Sequence, residues 1–175
     1  FSGGSVPRVM TDTPAAVETA FEDHGSLSPD GAGATVTTTA FDGVVTAAPT
    51  DGVGHSSTVT VQAPTLGAAT ADEVGDAVAT DWLRTFRRRL SDAPKATRAV
   101  VELESFTAER EGETVRVEYV FEHGNPTAAA AIATTFAEFV EGTYVQGIVP
   151  GYDYQPPVAG LLSQASQGGE SGTPL

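Results

Sequence analysis

Hydrophobic residues recur along this chain with two periods, one typical of helices and one typical of strands. The clearest helical pattern lies at 71–90, where the apolar side chains fall in one arc of about 100°. These side chains are Ala79, Trp82, Leu83, Phe86 and Leu90. The clearest alternation lies at 113–121, where one face carries Val115, Val117, Tyr119 and Phe121. We expect this helix and this strand to cover one another, because each leaves one apolar side to bury.

Three further helices are predicted from start and stop signals. Thr13 and Pro14 form a cap and first turn for a helix that ends near His24, before Gly25. Asn125 with Pro126 predicts a helix to about residue 141, and a last short helix spans about 156–165.

Four more runs read as strands, at 34–41, 44–48, 57–63 and 97–106. Asp42 and Gly43 favour a tight hairpin turn between the first two. The glycine- and proline-bearing stretch at 26–33 is predicted to be a loop. Glu111 and Gly112 are expected to turn the chain between the last two strands.

The resulting element order is α-β-β-β-α-β-β-α-α, which predicts an α+β fold. Short links between strands favour an antiparallel sheet of about five strands, and one apolar face per strand favours helices packed on one side. This order resembles the type III secretion chaperone-like fold, which is often dimeric. We expect a mobile extension at 1–10, one α+β domain at 11–166 and a disordered tail at 167–175, with Met10 a candidate natural start.

The amino-acid composition indicates the environment in which the protein works. The 175 residues carry 23 acidic and nine basic side chains, a formal charge of −14, and Lys95 is the single lysine. This profile is typical of proteins from extreme halophiles, whereas the 40% hydrophobic content argues against an acidic disordered chain. Nucleic-acid binding is disfavoured because a basic footprint is missing. No apolar run is long enough to span a membrane, and no signal peptide pattern opens the chain, so we expect a cytoplasmic protein.

Three segments together resemble a small haloarchaeal protein family of unknown function. They are EGTYVQGIVPGYDY at 141–154, TDTPAAVETAFE at 11–22 and TTTAFD at 37–42. The resemblance implies a haloarchaeal source and a single compact domain, and it implies no catalytic residue. The most distinctive matching positions are Tyr144, Gln146, Gly147, Pro150, Gly151, Tyr152, Asp153 and Tyr154.

The tyrosine-rich stretch at 142–154 is the strongest candidate for a binding surface. Its glycines and proline are expected to prevent a helix, and its apolar side chains should keep it ordered against the domain. Tyrosine offers an apolar ring with a polar tip, which suits binding sites. The candidate binding residues are Tyr144, Gln146, Tyr152, Asp153 and Tyr154. The alternative is a packed connector whose hydroxyl groups bond to nearby backbone.

Arginines cluster near the end of the helix at 71–90, and Arg84, Arg87 and Arg88 are candidate anion-binding residues. The alternative is that these cations complement the helix dipole and pair with Asp81, Asp92 or other acidic neighbours.

Known catalytic and cofactor motifs are missing. The chain has no cysteine, and its three histidines form no metal-binding pair, so no catalytic residue, metal ligand or cofactor is predicted. We therefore expect a non-enzymatic module that binds a protein or peptide, with a homodimer possible, and neither nucleic acid nor membrane as partner. Two alternatives stay open, an enzyme acting through 144–154 and a phosphate- or nucleotide-binding module using the arginine helix.

Overall fold

A computed structural model describes residues 15–29, 33–49, 54–98 and 100–171. The five helices of these ranges are α1 (Ala15–Asp23), α2 (Leu66–Ala69), α3 (Asp76–Leu90), α4 (Pro126–Gln146) and α5 (Val158–Ser171), with a 3₁₀ turn at Ala93–Ala96. The six strands are β1 (Leu27–Pro29), β2 (Ala34–Val36), β3 (Asp42–Pro49), β4 (His55–Pro64), β5 (Leu103–Glu111) and β6 (Thr114–His123).

The strands form one antiparallel sheet in the order β1-β2-β3-β4-β6-β5. The α+β class is therefore confirmed, with six strands where about five were predicted. The central pair is β4 and β6, which stay in register over ten residues, with Val59 opposite Tyr119 and Val61 opposite Val117. The turn predicted between β5 and β6 is also present, and Gly112 adopts a φ of 65° there.

One face of the sheet carries the core, and helix α4 lies across it. Val115, Val117, Tyr119 and Phe121 of β6 are all fully buried, as the alternation predicts. The aromatic partner of this face is Phe136 of α4, whose ring centroid lies 5.0 Å from that of Tyr119 and 5.4 Å from that of Phe121. The cover that was expected from α3 is therefore supplied by α4. Helix α3 reaches the strand with its own last residue, where the Tyr119 hydroxyl donates to the Leu90 carbonyl at 2.7 Å.

The predicted strand at 34–41 is wrong beyond Val36, and β1 was missed. After Val36 the chain leaves the sheet because a distant carboxylate binds its backbone. The amides of Ala40 and Phe41 both donate to Glu141 of α4, at 2.6 and 3.1 Å. Asp42 and Gly43 consequently form no hairpin turn and instead begin β3, where they pair with β4.

Three further predicted boundaries are wrong. Helix α3 begins at Asp76 instead of 71, because the preceding chain bonds to 153–155: the Ala71 amide donates to the Asp153 carbonyl at 3.0 Å. Strand β5 begins at Leu103 instead of 97. Helix α4 continues through Gly142 to Gln146, because the burial of Thr143 and Tyr144 outweighs the cost of about 1 kcal/mol for one glycine.

The ends of the chain lie partly outside the described residues. The helix cap predicted at Thr13 and Pro14, the extension at 1–10 and Met10 all fall there, as do residues 172–175. Helix α5 runs to Ser171 where an end near Ala165 was predicted. Within the described ranges, no helix is both long enough and apolar enough to cross a membrane.

Candidate functional site

An open cleft of about 550 Å³ lies between α3 and the carboxyl-terminal end of α4. It runs along α3 for roughly three turns, on the order of 18 Å at 1.5 Å per residue. Helix α3 contributes Ala77, Val78, Asp81, Trp82, Thr85, Phe86 and Arg89. The opposite wall consists of Thr143, Gln146, Gly147, Ile148 and Val149.

Aromatic rings form the floor of the cleft. Trp82 and Phe86 stack on one turn of α3 with their ring centroids 5.1 Å apart. The ring of Tyr144 stands edge-on to both, at 5.4 Å from Trp82 and 5.5 Å from Phe86. Phe41 closes the cluster from below, 5.0 Å from Tyr144. Trp82 and Phe86 line the cleft, and the rings of Tyr144 and Phe41 pack behind them, so the base of the cleft is apolar. Edge-to-face pairs of this kind are favourable arrangements of aromatic side chains.

Two buried donors in this cluster have no hydrogen-bond partner among the described residues. They are the Tyr144 hydroxyl and the Trp82 indole Nε1. Burial, followed by the nearby Tyr154, raises the pKa of Tyr144 well above its ordinary value. A phenol with a raised pKa stays protonated at neutral pH, so Tyr144 offers neither a nucleophile nor a general base there.

Charged groups flank the apolar floor. Asp81 lies 3.5 Å from Arg84 in an exposed ion pair, so its charge is already partly compensated. Arg89 has no carboxylate within ion-pairing distance in the described ranges. One guanidinium nitrogen of Arg89 lies beside Gly147, 3.8 Å from where a Cβ would stand, at the carboxyl-terminal end of α4. That placement complements the dipole of α4 and leaves further N–H groups of Arg89 for a ligand.

The five residues predicted as a binding surface are not brought together in this cleft. Tyr144 is a core residue with no exposed surface, whereas Gln146 lines the cleft. Tyr152 and Tyr154 lie beyond it with ring centroids 6.3 Å apart. The Tyr154 hydroxyl donates to the Val149 carbonyl, and the Asp153 amide donates to the Asp72 carboxylate at 2.6 Å. These local bonds match the connector alternative for 149–154.

Sequence reasoning did not single out the α3 side of the cleft. The helical pattern favours a core role for Trp82, and its 6% exposure agrees with that role. The signal in the sequence was Val78, which continues the stripe of Trp82 and Phe86 one turn earlier. In the structure the Val78 side chain is 38% exposed. An apolar stripe that extends past its own core marks a candidate contact surface.

The arginine candidates separate in the structure. Arg84 and Arg87 line a second cleft on another side of α3, together with Arg110 of β5. Arg88 is exposed and lines neither cleft. Among the described residues, no group of three or more histidine, aspartate or glutamate side chains is placed to hold a metal ion.

The fold and the site together define an α+β domain that has an open cleft with an aromatic floor between two helices. The chain belongs to DUF5813, a family of unknown function whose model matches residues 20–164. Comparison with curated proteins and with solved structures found no match.

Proposed function

We propose that this protein is a non-enzymatic binding module that holds a short, extended peptide segment of a partner protein in the α3–α4 cleft. The observation that carries this proposal is the elongated cleft itself, which has an aromatic floor and contains Arg89, a cation without a carboxylate partner among the described residues. A segment of about five residues at 3.3 Å each would span its length of about 18 Å.

The charges that line the cleft indicate which kind of peptide segment it would bind. Asp81 has Arg84 beside it, whereas Arg89 has no acidic partner in the described part of the chain. The preferred occupant is therefore a peptide with a large apolar side chain over Trp82 and Phe86 and a carboxylate next to Arg89. An acidic residue in the partner suits Arg89 better than a basic residue would.

The two contacts should contribute unequally. Burying one large apolar side chain is worth about 1.5–3 kcal/mol. An exposed ion pair with Arg89 is worth only about 0.2–1 kcal/mol. The aromatic floor thus supplies most of the affinity, and Arg89 supplies discrimination between acidic and neutral peptides.

The alternative of an enzyme acting through 144–154 has weaker support. Tyr144 is buried and remains neutral, and Tyr154 donates its hydroxyl to Val149. The arrangement offers apolar contact and charge recognition in place of an activated group.

Binding can be followed through Trp82, because it is the single tryptophan of the chain. We expect a capped pentapeptide containing phenylalanine and glutamate to change its fluorescence saturably. Exchanging the peptide phenylalanine for alanine should weaken binding by about tenfold or more. Exchanging the peptide glutamate for glutamine should weaken it by about two- to fivefold.

Arg89→Gln provides the matched test on the protein side. This variant should weaken binding of the glutamate peptide by about two- to fivefold, as the glutamine exchange in the peptide does. It should leave binding of the glutamine peptide unchanged. Arg88→Gln is the control, because it removes the same charge from the same helix outside the cleft. Equal losses from both variants, or no saturable change with any peptide, would refute the cleft as the binding site.

We further propose a halophilic, cytoplasmic setting of haloarchaeal type, supported by the charge of −14 and the near absence of lysine. The partner in that setting is either a second copy of the chain or another protein, and sedimentation velocity would distinguish a homodimer from a monomer.

The melting temperature should fall when the salt concentration is lowered from about 1 M to about 0.1 M potassium chloride, because the screening length grows from about 3 to about 10 Å. Acidic side chains then repel one another over a longer range. Circular dichroism melts at matched protein concentration would measure the change. A melting temperature that is equal at both concentrations would contradict the halophilic proposal while leaving the cleft proposal intact.

A further inference from the structure

A second cleft, of about 460 Å³, lies between α3 and the β5–β6 hairpin. It gathers three guanidinium groups from two separate elements: Arg84 and Arg87 on neighbouring turns of α3, and Arg110 near the end of β5. One carboxylate, that of Asp76, also lines it. Three cations against one carboxylate is an unusual local excess in a chain with a net charge of −14.

Backbone carbonyls hold two of these arginines in place. The Arg87 Nε donates to the Ala108 carbonyl at 2.7 Å, and the Arg110 Nε donates to the Gly112 carbonyl at 2.9 Å. Each bond uses the inner nitrogen of a planar guanidinium, and no hydrogen bond within the described ranges engages the terminal nitrogens of these two arginines. The two groups are thus partly preorganised, which lowers the entropy lost when a ligand binds.

Arg84 is the third arginine of the cleft, and its ion pair with Asp81 competes only weakly with a ligand. Its contact with Asp81 is 3.5 Å long and both side chains are largely exposed, so this ion pair is weak and a ligand can replace Asp81 as the partner of Arg84 at little cost. The ordinary role of arginines at a helix end, pairing with acidic neighbours or complementing the dipole, does not account for Arg110, which lies on a strand.

We propose that Arg84, Arg87 and Arg110 form a binding site for a phosphate-bearing small molecule. A phosphoryl group presents several oxygens in different directions, so it can accept from three guanidiniums that approach from two elements. The volume of the cleft falls within the range of small-molecule sites, about 300–1,000 Å³. Ala79 and Leu83 line the same cleft and supply apolar contact for the remainder of such a molecule.

The site is separate from the proposed peptide cleft. Trp82, Phe86 and Arg89 line the peptide cleft, whereas Ala79, Leu83 and Arg87 line this one, so α3 carries the two on different sides. Failure of one proposal therefore leaves the other standing.

Inorganic pyrophosphate is the probe, and its binding to the full chain is measured by isothermal titration calorimetry at an ionic strength of about 0.1 M, where exposed charges are less screened than in molar salt. We expect saturable binding with one site per chain. Arg84→Gln and Arg110→Gln should each weaken it by about two- to fivefold, because each removes one solvent-exposed charge contact with the ligand. Arg88→Gln should change it by less than about twofold, because the same charge is lost outside the cleft.

Asp76→Asn gives an independent sign test. Removing this carboxylate should strengthen pyrophosphate binding, since like charges at the site then no longer repel the ligand. Melting temperatures of all four variants would show that each one folds. Equal losses for Arg84→Gln and Arg88→Gln would assign binding to the general field of the helix, and absence of saturable binding would likewise overturn the proposed site.

Discussion

Phe136→Ala is expected to lower the free energy of unfolding by about 3–5 kcal/mol. Phe136 has no exposed surface and joins α4 to the central strand through its ring contacts with Tyr119 and Phe121. Truncation leaves a cavity beneath rings that cannot all collapse into it, because β6 is held on both sides by β4 and β5. Urea unfolding followed by circular dichroism would measure the loss.

Phe139→Ala is the matched control, because it removes the same side chain from the same helix at a half-buried position. It should cost clearly less than Phe136→Ala. Equal costs for the two variants would contradict the assignment of α4 as the helix that covers the centre of the sheet.

Raising the pH above about 10 is expected to destabilise the protein steeply, by up to about 1.4 kcal/mol per pH unit for each of two tyrosines. Burial raises the pKa of Tyr119 and of Tyr144 above the ordinary value. Above the ordinary pKa the unfolded chain loses these protons while the folded chain keeps them. The contribution to stability is therefore complete below about pH 10 and is lost as the pH rises toward the folded-state pKa.

Two phenylalanine variants separate the contributions. Tyr119→Phe should cost about 1 kcal/mol at neutral pH, because it removes the hydroxyl that donates to Leu90. Tyr144→Phe should cost nothing there, since its buried hydroxyl has no partner in the described part of the molecule. Each variant should flatten the alkaline slope by about 1.4 kcal/mol per pH unit. An unchanged slope in Tyr144→Phe would show that this ring ionises freely and is not enclosed.

The sequence predicted the sheet best where one face of a strand decides its pattern. In β6 four apolar side chains alternate with Thr114, Arg116 and Glu118, so the sequence predicts which face of the strand is buried. The structure buries that face. The caps at Asn125 and Pro126 are equally local, and the Asn125 side chain accepts from the Ala128 amide at 3.0 Å. Signals of this kind depend on neighbours within a few residues.

The failures occurred where distant residues compete with local preference. The carboxylate of Glu141 binds the amides of Ala40 and Phe41 across about one hundred positions of sequence, and it ends β2 early. Burial of Tyr144 among three other rings carries α4 past Gly142. Neither effect is visible in a local window, because each depends on how α4 lies over the sheet.

The two candidate sites differ in how far sequence reasoning could reach them. Gln146 and Arg87 were both singled out, but their surroundings were not. Trp82 and Phe86 read as ordinary core residues, and only the exposure of Val78 shows that their stripe continues into a cleft. Arg110 joins Arg87 only through the packing of α3 beside β5, so no spacing along the chain could have paired them.

The most direct test of the proposed peptide cleft is a ¹H–¹⁵N correlation spectrum of the ¹⁵N-labelled protein during titration with the capped glutamate pentapeptide. The chain has one tryptophan, so a single indole signal reports on Trp82. The proposal predicts that this signal and the amides of Gln146, Ile148 and Val149 shift together and saturate, while Arg110 and its neighbours stay unchanged. Shifts confined to other surfaces, or no shift at saturating peptide, would contradict it.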